Sequence, residues 1–323
     1  MPTRRAALVA TALAATGARA HAQPAGFPDR SVRYIVPYTP AGLTDIMARL
    51  MAQKLSEAWP RGVVVENRPG GNGLIGAEAA ARAPADGHTL LAITLTHAVN
   101  VSLFPNAPYD LRRDFAPVAM LGSLPLVVVV NPANPARTLA EFLEHARTRP
   151  LNGGSSGNGS PPHLGLELLR RAAGAGPNLV HVTYRGGAPG VTDLVAGNLD
   201  FMVSNLPECI GQLRAGRLRG LALTDSRRHK LVPDIPTVHE AGAPGLEITN
   251  WTAMLVPAAV PAPAFAAIER ATLAAIRDTD LIRRAEDGGF DVLGWDSGRS
   301  REYIHEQVDR WARLVAEAGI RAE

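Results

Sequence analysis

Val32-Arg33-Tyr34-Ile35-Val36-Pro37-Tyr38-Thr39-Pro40-Ala41-Gly42-Leu43-Thr44-Asp45 begins as an apolar run, breaks at two prolines and a glycine, and then resumes regular patterning. β-branched and aromatic residues predict a strand over residues 32–38. Beyond the break, Ile46, Leu50, Met51 and Leu55 recur at helical spacing, which predicts a helix over residues 44–59. Strand, tight loop and helix in that order are the unit of an α/β fold.

The same unit repeats along the chain. Further strands are expected at residues 63–67, 89–94, 126–130, 179–184, 199–205, 218–224, 248–256 and 290–293. Helices are expected at residues 138–148, 162–173, 190–196, 264–278 and 300–318. Thr138-x-x-Glu141 is a capping box that opens the first of these. The run Leu126-Val127-Val128-Val129-Val130 has no polar face, which suits a parallel sheet covered on both sides. The chain has 323 residues, enough for two lobes with separate cores. Pro125 and Thr249-Asn250-Trp251 are the expected crossing points between them. Lobe 1 would then hold residues 23–125 and 248–323, and lobe 2 residues 126–247.

Residues 1–22 have the pattern of a secretory leader. Arg4 and Arg5 precede an apolar stretch over residues 6–18, and Ala20-His21-Ala22 places small residues at a cleavage site before Gln23. Thr3-Arg4-Arg5 also resembles a twin-arginine signal, although the residues after it fit that route poorly. The leader carries Arg4, Arg5 and Arg19 and no acid, so its removal takes the net charge of +3 to zero. A neutral mature chain lacks the basic surface that a nucleic-acid partner needs. Cys209 is the one cysteine, which excludes an intramolecular disulfide and a cysteine metal cluster. It is expected to be a buried small residue. With no cysteine directly at the end of the leader, a lipid anchor is not expected.

Three glycine-rich loops carry the functional reading. The first, Tyr38 to Asp45, leads into a helix whose first backbone N–H groups can receive an anion without a basic side chain. Pro40, Ala41 and Gly42 let a ligand approach, Thr44 adds a hydroxyl, and Asp45 is either a helix cap or a site for an ammonium group. The second, Gly153-Gly154-Ser155-Ser156-Gly157-Asn158-Gly159-Ser160, runs into Pro161-Pro162, which makes Ser160 the expected N-cap. Two such loops, one from each lobe, would clamp a carboxylate. Hydrogen bonds to a charged group contribute roughly 1.5–3 kcal/mol each, so several suffice for micromolar binding at about −8 kcal/mol. The bland alternative is a strand–helix turn and a linker. The third loop, Gly71-Asn72-Gly73-Leu74-Ile75-Gly76, fits a dinucleotide fingerprint. The following strand ends Ile93-Thr94-Leu95-Thr96 without the acid that would hold a ribose, so close helix packing explains the glycines better.

Enzymatic alternatives have less support. Gly153-x-Ser155-x-Gly157 matches the serine-hydrolase elbow, but residues 147–152 make a poor strand to precede one. Asp193 with His229 or His239 would be the partners in order. The nine histidines are scattered without metal-ligand spacing, and no phosphate-binding lysine motif is present. No cofactor or metal is expected.

Taken in order, several stretches resemble the Bug-type receptors of tripartite tricarboxylate transport systems. These are Ile35-Val-Pro-Tyr-Thr-Pro-Ala-Gly-Leu-Thr-Asp45, Val64-Val-Glu-Asn-Arg-Pro-Gly70, Asp86-Gly-His-Thr-Leu-Leu91, Tyr109-Asp110 with Asp114-Phe-Ala-Pro-Val118, Ser156-Gly-Asn-Gly-Ser160 with His163-Leu164, His181-Val-Thr-Tyr-Arg-Gly186, and Pro233-Asp-Ile-Pro-Thr237 with Glu240-Ala-Gly242. The resemblance implies a two-lobed type II periplasmic-binding-protein fold, α/β in class, with the ligand cleft between the lobes. It implies that residues 40–45 and 155–160 hold the carboxyl groups of a small solute. Such a receptor would be a periplasmic monomer, not an enzyme, delivering to membrane transporter subunits.

Departures from the family pattern bear on the ligand. Ala41 stands where a second glycine is usual, and Thr39 and Thr183 replace common prolines. Arg185 replaces a common lysine and is either a carboxylate contact or a surface residue. Ser204 and Asn205 stand where an acid is frequent, which tilts the expectation toward a ligand without an amine. Tyr38, Tyr184 and Trp251 are candidates for the cleft walls, and Trp251 fits core packing equally well. Thr94, Thr96 and Asn100 follow a strand end of the kind that faces ligands in open α/β sheets.

Overall fold

The computed structural model describes residues 27–322. The leader expected at residues 1–22 lies outside the described residues. Val32–Val36 (β1) leads into Leu43–Ala58 (α1), Val63–Asn67 (β2), Leu74–Ala81 (α2), Thr89–Thr94 (β3) and Leu95–Leu103 (α3). The long strand Phe115–Val130 (β4) follows, then Leu139–Thr148 (α4), Leu151–Ser155 (β5), Pro161–Ala173 (α5), Leu179–Thr183 (β6) and Gly187–Ala196 (α6). Phe201–Asn205 (β7), Leu206–Arg214 (α7), Arg219–Leu223 (β8), Thr249–Pro257 (β9), Ala262–Ala275 (α8), Thr279–Asp287 (α9), Asp291–Trp295 (β10) and Ser297–Ala318 (α10) complete the order.

The strands form one sheet in the order β2-β1-β3-β9-β4-β7-β5-β6, with β8 and β10 also paired to β4. β4 joins two halves. Its residues 115–125 pair with β9, and residues 126–130 pair with β7 and β8. β9 returns beside it, with Thr249 opposite Pro125. Within each half the outer strands are parallel: β1 with β2 and β3, β5 with β6 and β7.

Each half carries apolar clusters on both faces. Leu126, Val128 and Val130 join Phe142, Leu166 and Phe201 on one side, while Val127 and Val129 join Leu194, Leu206 and Cys209 on the other. Burying a side chain of this size stabilises the fold by roughly 1.5–3 kcal/mol, so both faces must be covered. The valine run therefore reports coverage, but not direction: it is antiparallel to β7 and β8, where a parallel sheet was expected.

Other differences have local causes. β5 exists although its sequence, Leu-Asn-Gly-Gly-Ser, has little β-propensity. A Cβ on Gly153 would run into the Phe201 ring and lie 2.7 Å from Leu166, so the glycine is what lets the sheet pass beneath those side chains. α3 escapes a pattern reading because its polar residues Thr96, His97 and Asn100 are buried while apolar Val101 is exposed. The helix expected over residues 264–278 stops at Ala275, and Asp278 caps a new one by accepting from the Leu281 N–H.

Candidate functional site

Five helices begin at one cleft. β1, β3, β5 and β7 deliver the chain at their carboxyl ends to α1, α3, α5 and α7, and the loop after β6 delivers it to α6. The cleft, about 190 Å³, is lined from the first half of the sheet by Tyr38, Thr39, Gly42, Leu43, Thr44, Asn72, Thr94 and Thr96. From the second half come Ser156, Ser160, Pro161, Gly186, Gly187, Asn205 and Glu208, with Asn250 at the crossing strand. No lining side chain is basic, and Glu208 carries the one carboxyl.

The first loop is held from behind. α1 starts at Gly42, which has no side chain to cap it, so its first N–H groups face the cleft unsatisfied. Asp45 does not enter the cleft. Its buried carboxylate accepts from the Ala41 N–H at 2.9 Å, from Arg49 at 2.7 Å and from Asn67 Nδ2 at 2.8 Å. Burial opposes its charge, but these hydrogen bonds outweigh burial and hold the carboxyl below the usual carboxylate range. Ala41 sits at φ 63°, the left-handed region that glycine occupies without cost.

The second loop is a locked turn. Gly157 N–H donates to Ser155 Oγ at 3.2 Å, Ser160 Oγ donates to the Gly157 carbonyl at 2.6 Å, and Gly159 N–H donates to His163 Nδ1 at 3.1 Å. Ser160 caps α5 by accepting from the His163 N–H. The carbonyl of Asn158 accepts from Asn72 Nδ2 at 3.2 Å, tying this turn to the third glycine loop across the cleft. Asn72 also donates to Asn100 Oδ1 at 2.9 Å, which places Asn100 behind the wall. Gly76 makes room for the junction, since a Cβ there would lie 2.7 Å from Pro37.

Of the residues proposed from sequence, Tyr38, Gly42, Thr44, Thr94, Thr96, Ser156 and Asn205 line the cleft. Pro40, Ala41, Asp45, Gly157, Asn158 and Gly159 belong to the loops but not to the lining. Tyr184 turns away and donates to Asp193 at 2.7 Å. Arg185 is exposed. Trp251 is buried in the core of the first half. Ser204 is fully buried.

Ser155 is also fully buried, with its Oγ 2.6 Å from His181 Nε2. The His181 ring stacks on His163 at 3.9 Å between centroids. Burial and the neighbouring His163 lower the pKa of His181 to about 4.

Sequence reasoning missed Asn72, Glu208 and Asn250. Asn205-x-x-Glu208 has the spacing of a capping box, the signal by which Glu208 was open to discovery. Asn72 lay in the third glycine loop and Asn250 at the expected crossing point, but nothing in either stretch marked its side chain as facing the cleft.

Residues 47–320 match the family described as tripartite tricarboxylate transporter family receptor. The chain belongs to that family. A UPF0065 protein from the tcbD-tcbE intergenic region of Pseudomonas sp. strain P51 is 35% identical over 99% of this chain and 96% of its own length. Protein BugT of Bordetella pertussis is 33% identical, covering 99% and 98%. Among solved structures, R. palustris Rpa4515 with adipate is 32% identical and covers 91% of this chain and 99% of its own, with a TM-score of 0.83. The fold of the receptor is thus the two-lobed periplasmic-binding-protein type, with the cleft between its lobes.

Proposed function

We propose that this chain is a periplasmic receptor that captures a small carboxylate between residues 126–247 as one lobe and residues 23–125 with 248–323 as the other. One observation carries the reading: helix N-termini from both halves of the sheet converge on a cleft that has no basic side chain. Each helix start carries roughly half a positive charge, and the uncapped starts of α1 and α6, one in each half, leave N–H donors free, so the cleft attracts an anion through backbone alone. Thr44, Thr94, Thr96 and Ser156 add hydroxyl donors that orient it. The adipate in the R. palustris relative is a ligand of the same class. Export by a cleaved leader, action as a monomer and delivery to membrane transporter subunits are parts of the same proposal, and family membership supports the periplasmic location and the transporter partnership.

The hydrolase reading draws on the Ser155–His181 contact. What weighs against it is access. Ser155 has no exposed surface, its neighbour Ser156 faces the cleft instead, and the imidazole is braced by a second histidine where a carboxylate would orient a catalytic base. We therefore assign the pair to loop anchoring and the chain to binding without catalysis.

A thermal-shift screen over mono-, di- and tricarboxylates tests the reading. A matching solute should raise the unfolding midpoint, and Ser156→Phe should weaken its binding by at least about tenfold while the unliganded midpoint stays put. A flat response across the panel, or labelling of Ser155 by a fluorophosphonate, would count against it.

A further inference from the structure

The cleft that attracts a carboxylate also contains, among the described residues, a carboxyl group without a cation, on Glu208, and an amide oxygen without a donor, on Asn250. Glu208, in the first turn of α7, accepts a hydrogen bond from Asn205 Nδ2 to Oε2 at 3.1 Å, and the Asn205 N–H and the Ser204 hydroxyl also favour its charged form. No cation is paired with it among the described residues, and burial pushes its carboxyl up. The carboxyl packs directly against Gly187 at the start of α6, where any side chain would displace it.

This bond sets the polarity of its neighbours. Because Asn205 gives its NH2 to Glu208, its Oδ1 faces Asn250, whose Nδ2 donates to it at 3.2 Å. Asn250 Oδ1 is then left over: the residue is 9% exposed, lines the cleft, and this oxygen is buried without a partner. A buried acceptor left empty is destabilising unless a ligand or water fills it. A carboxylate and an amide oxygen in a cleft without basic side chains call for a group with several N–H donors and a positive charge.

We infer that Glu208 and Asn250 form a cation subsite, so that the favoured ligand is zwitterionic: a carboxylate held by the helix N-termini, joined to an ammonium held by these two oxygens. The inference rests on the receptor reading above and reverses the expectation, drawn from Ser204 and Asn205, of a ligand without an amine. The acid simply enters one turn later than those two residues.

Matched pairs of equal chain length test it by calorimetric titration: succinate with β-alanine, glutarate with γ-aminobutyrate, and adipate with δ-aminovalerate. In each pair an ammonium replaces one carboxylate. The ammonium member of the best-fitting pair should bind about tenfold or more tightly, the ratio that one charge-assisted hydrogen bond sustains. Glu208→Gln keeps the shape and should erase or invert that preference. Asn250→Ser is a second, smaller cut that should reduce it. The unliganded unfolding midpoint of each variant reports whether the fold survives. A wild-type preference for the dicarboxylate, or a preference unchanged in Glu208→Gln, overturns the cation subsite and leaves the receptor reading intact. Absence of binding by every member, tricarboxylates included, overturns both.

Discussion

Ala41 and His97 are single residues whose conformation or protonation is set by the site around them. Ala41 holds a left-handed backbone that costs an L-residue roughly 1–2 kcal/mol. Ala41→Gly removes that strain but adds freedom to the unfolded chain, about 0.4–1 kcal/mol in opposition. A net gain of between zero and about 1.6 kcal/mol is expected, read from urea unfolding at unchanged slope. His97 is fully buried, and its Nδ1 accepts from the Thr94 N–H at 3.2 Å, so the neutral ring is the form that fits. Burial lowers its pKa to about 4 from the ordinary 6.5. The unfolded chain takes up a proton below 6.5 that the native protein refuses until about 4. Stability is therefore full above that window and falls as pH drops through it, by up to about 1.4 kcal/mol per unit for this group. His97→Gln should flatten that slope, which unfolding measured at several pH values checks. A slope identical to wild type would reject the assignment.

At the scale of elements, β5 departs furthest from its own propensity. It is a strand because Phe201, Leu166 and Leu199 occupy the space where side chains at Gly153 and Gly154 would project. Gly153→Ala should cost about 1–3 kcal/mol by overpacking, measurable as a lower unfolding midpoint, whereas a neutral effect would mean that the strand is loosely seated. The contrast with α1, α4 and α5 is instructive. Those helices announce themselves by spacing and caps: Ile46 through Leu55, Thr138 with Glu141, and Ser160 before its prolines. α3 does not, because its polar residues Thr96, His97 and Asn100 are buried with the apolar ones, and β5 does not, because Asn152-Gly153-Gly154 has little β-propensity. Loop positions were legible for the same reason caps were, since Gly, Pro, Ser and Thr mark strand–helix junctions.

The whole molecule turns on β4 and β9, which are the connections seen to run from one half of the sheet toward the other. Two strands at a crossing make a compliant joint, and the Asn72–Asn158 bond is a contact between the halves at the cleft's edge. Ligand binding should favour the closed arrangement, because only there do both sets of helix starts reach one anion. Small-angle scattering should show a more compact particle when a bound carboxylate saturates the receptor. Asn72→Ala should make the unliganded particle larger on average, and no change in either case would argue for a rigid cleft.

The sequence by itself determined the α/β class, the order of most strands and helices, the junction loops and the family, since each of these depends on short-range pattern or on ordered motifs. Only the tertiary structure decided which loop residues face the cleft, that Asp45 and Ser155 are engaged from behind, and that Glu208 and Asn250 share a pocket. Those outcomes depend on which side chains from distant segments arrive first at each hydrogen-bonding group. A carboxylate or hydroxyl that a neighbour has already satisfied looks identical in sequence to one left open for a ligand.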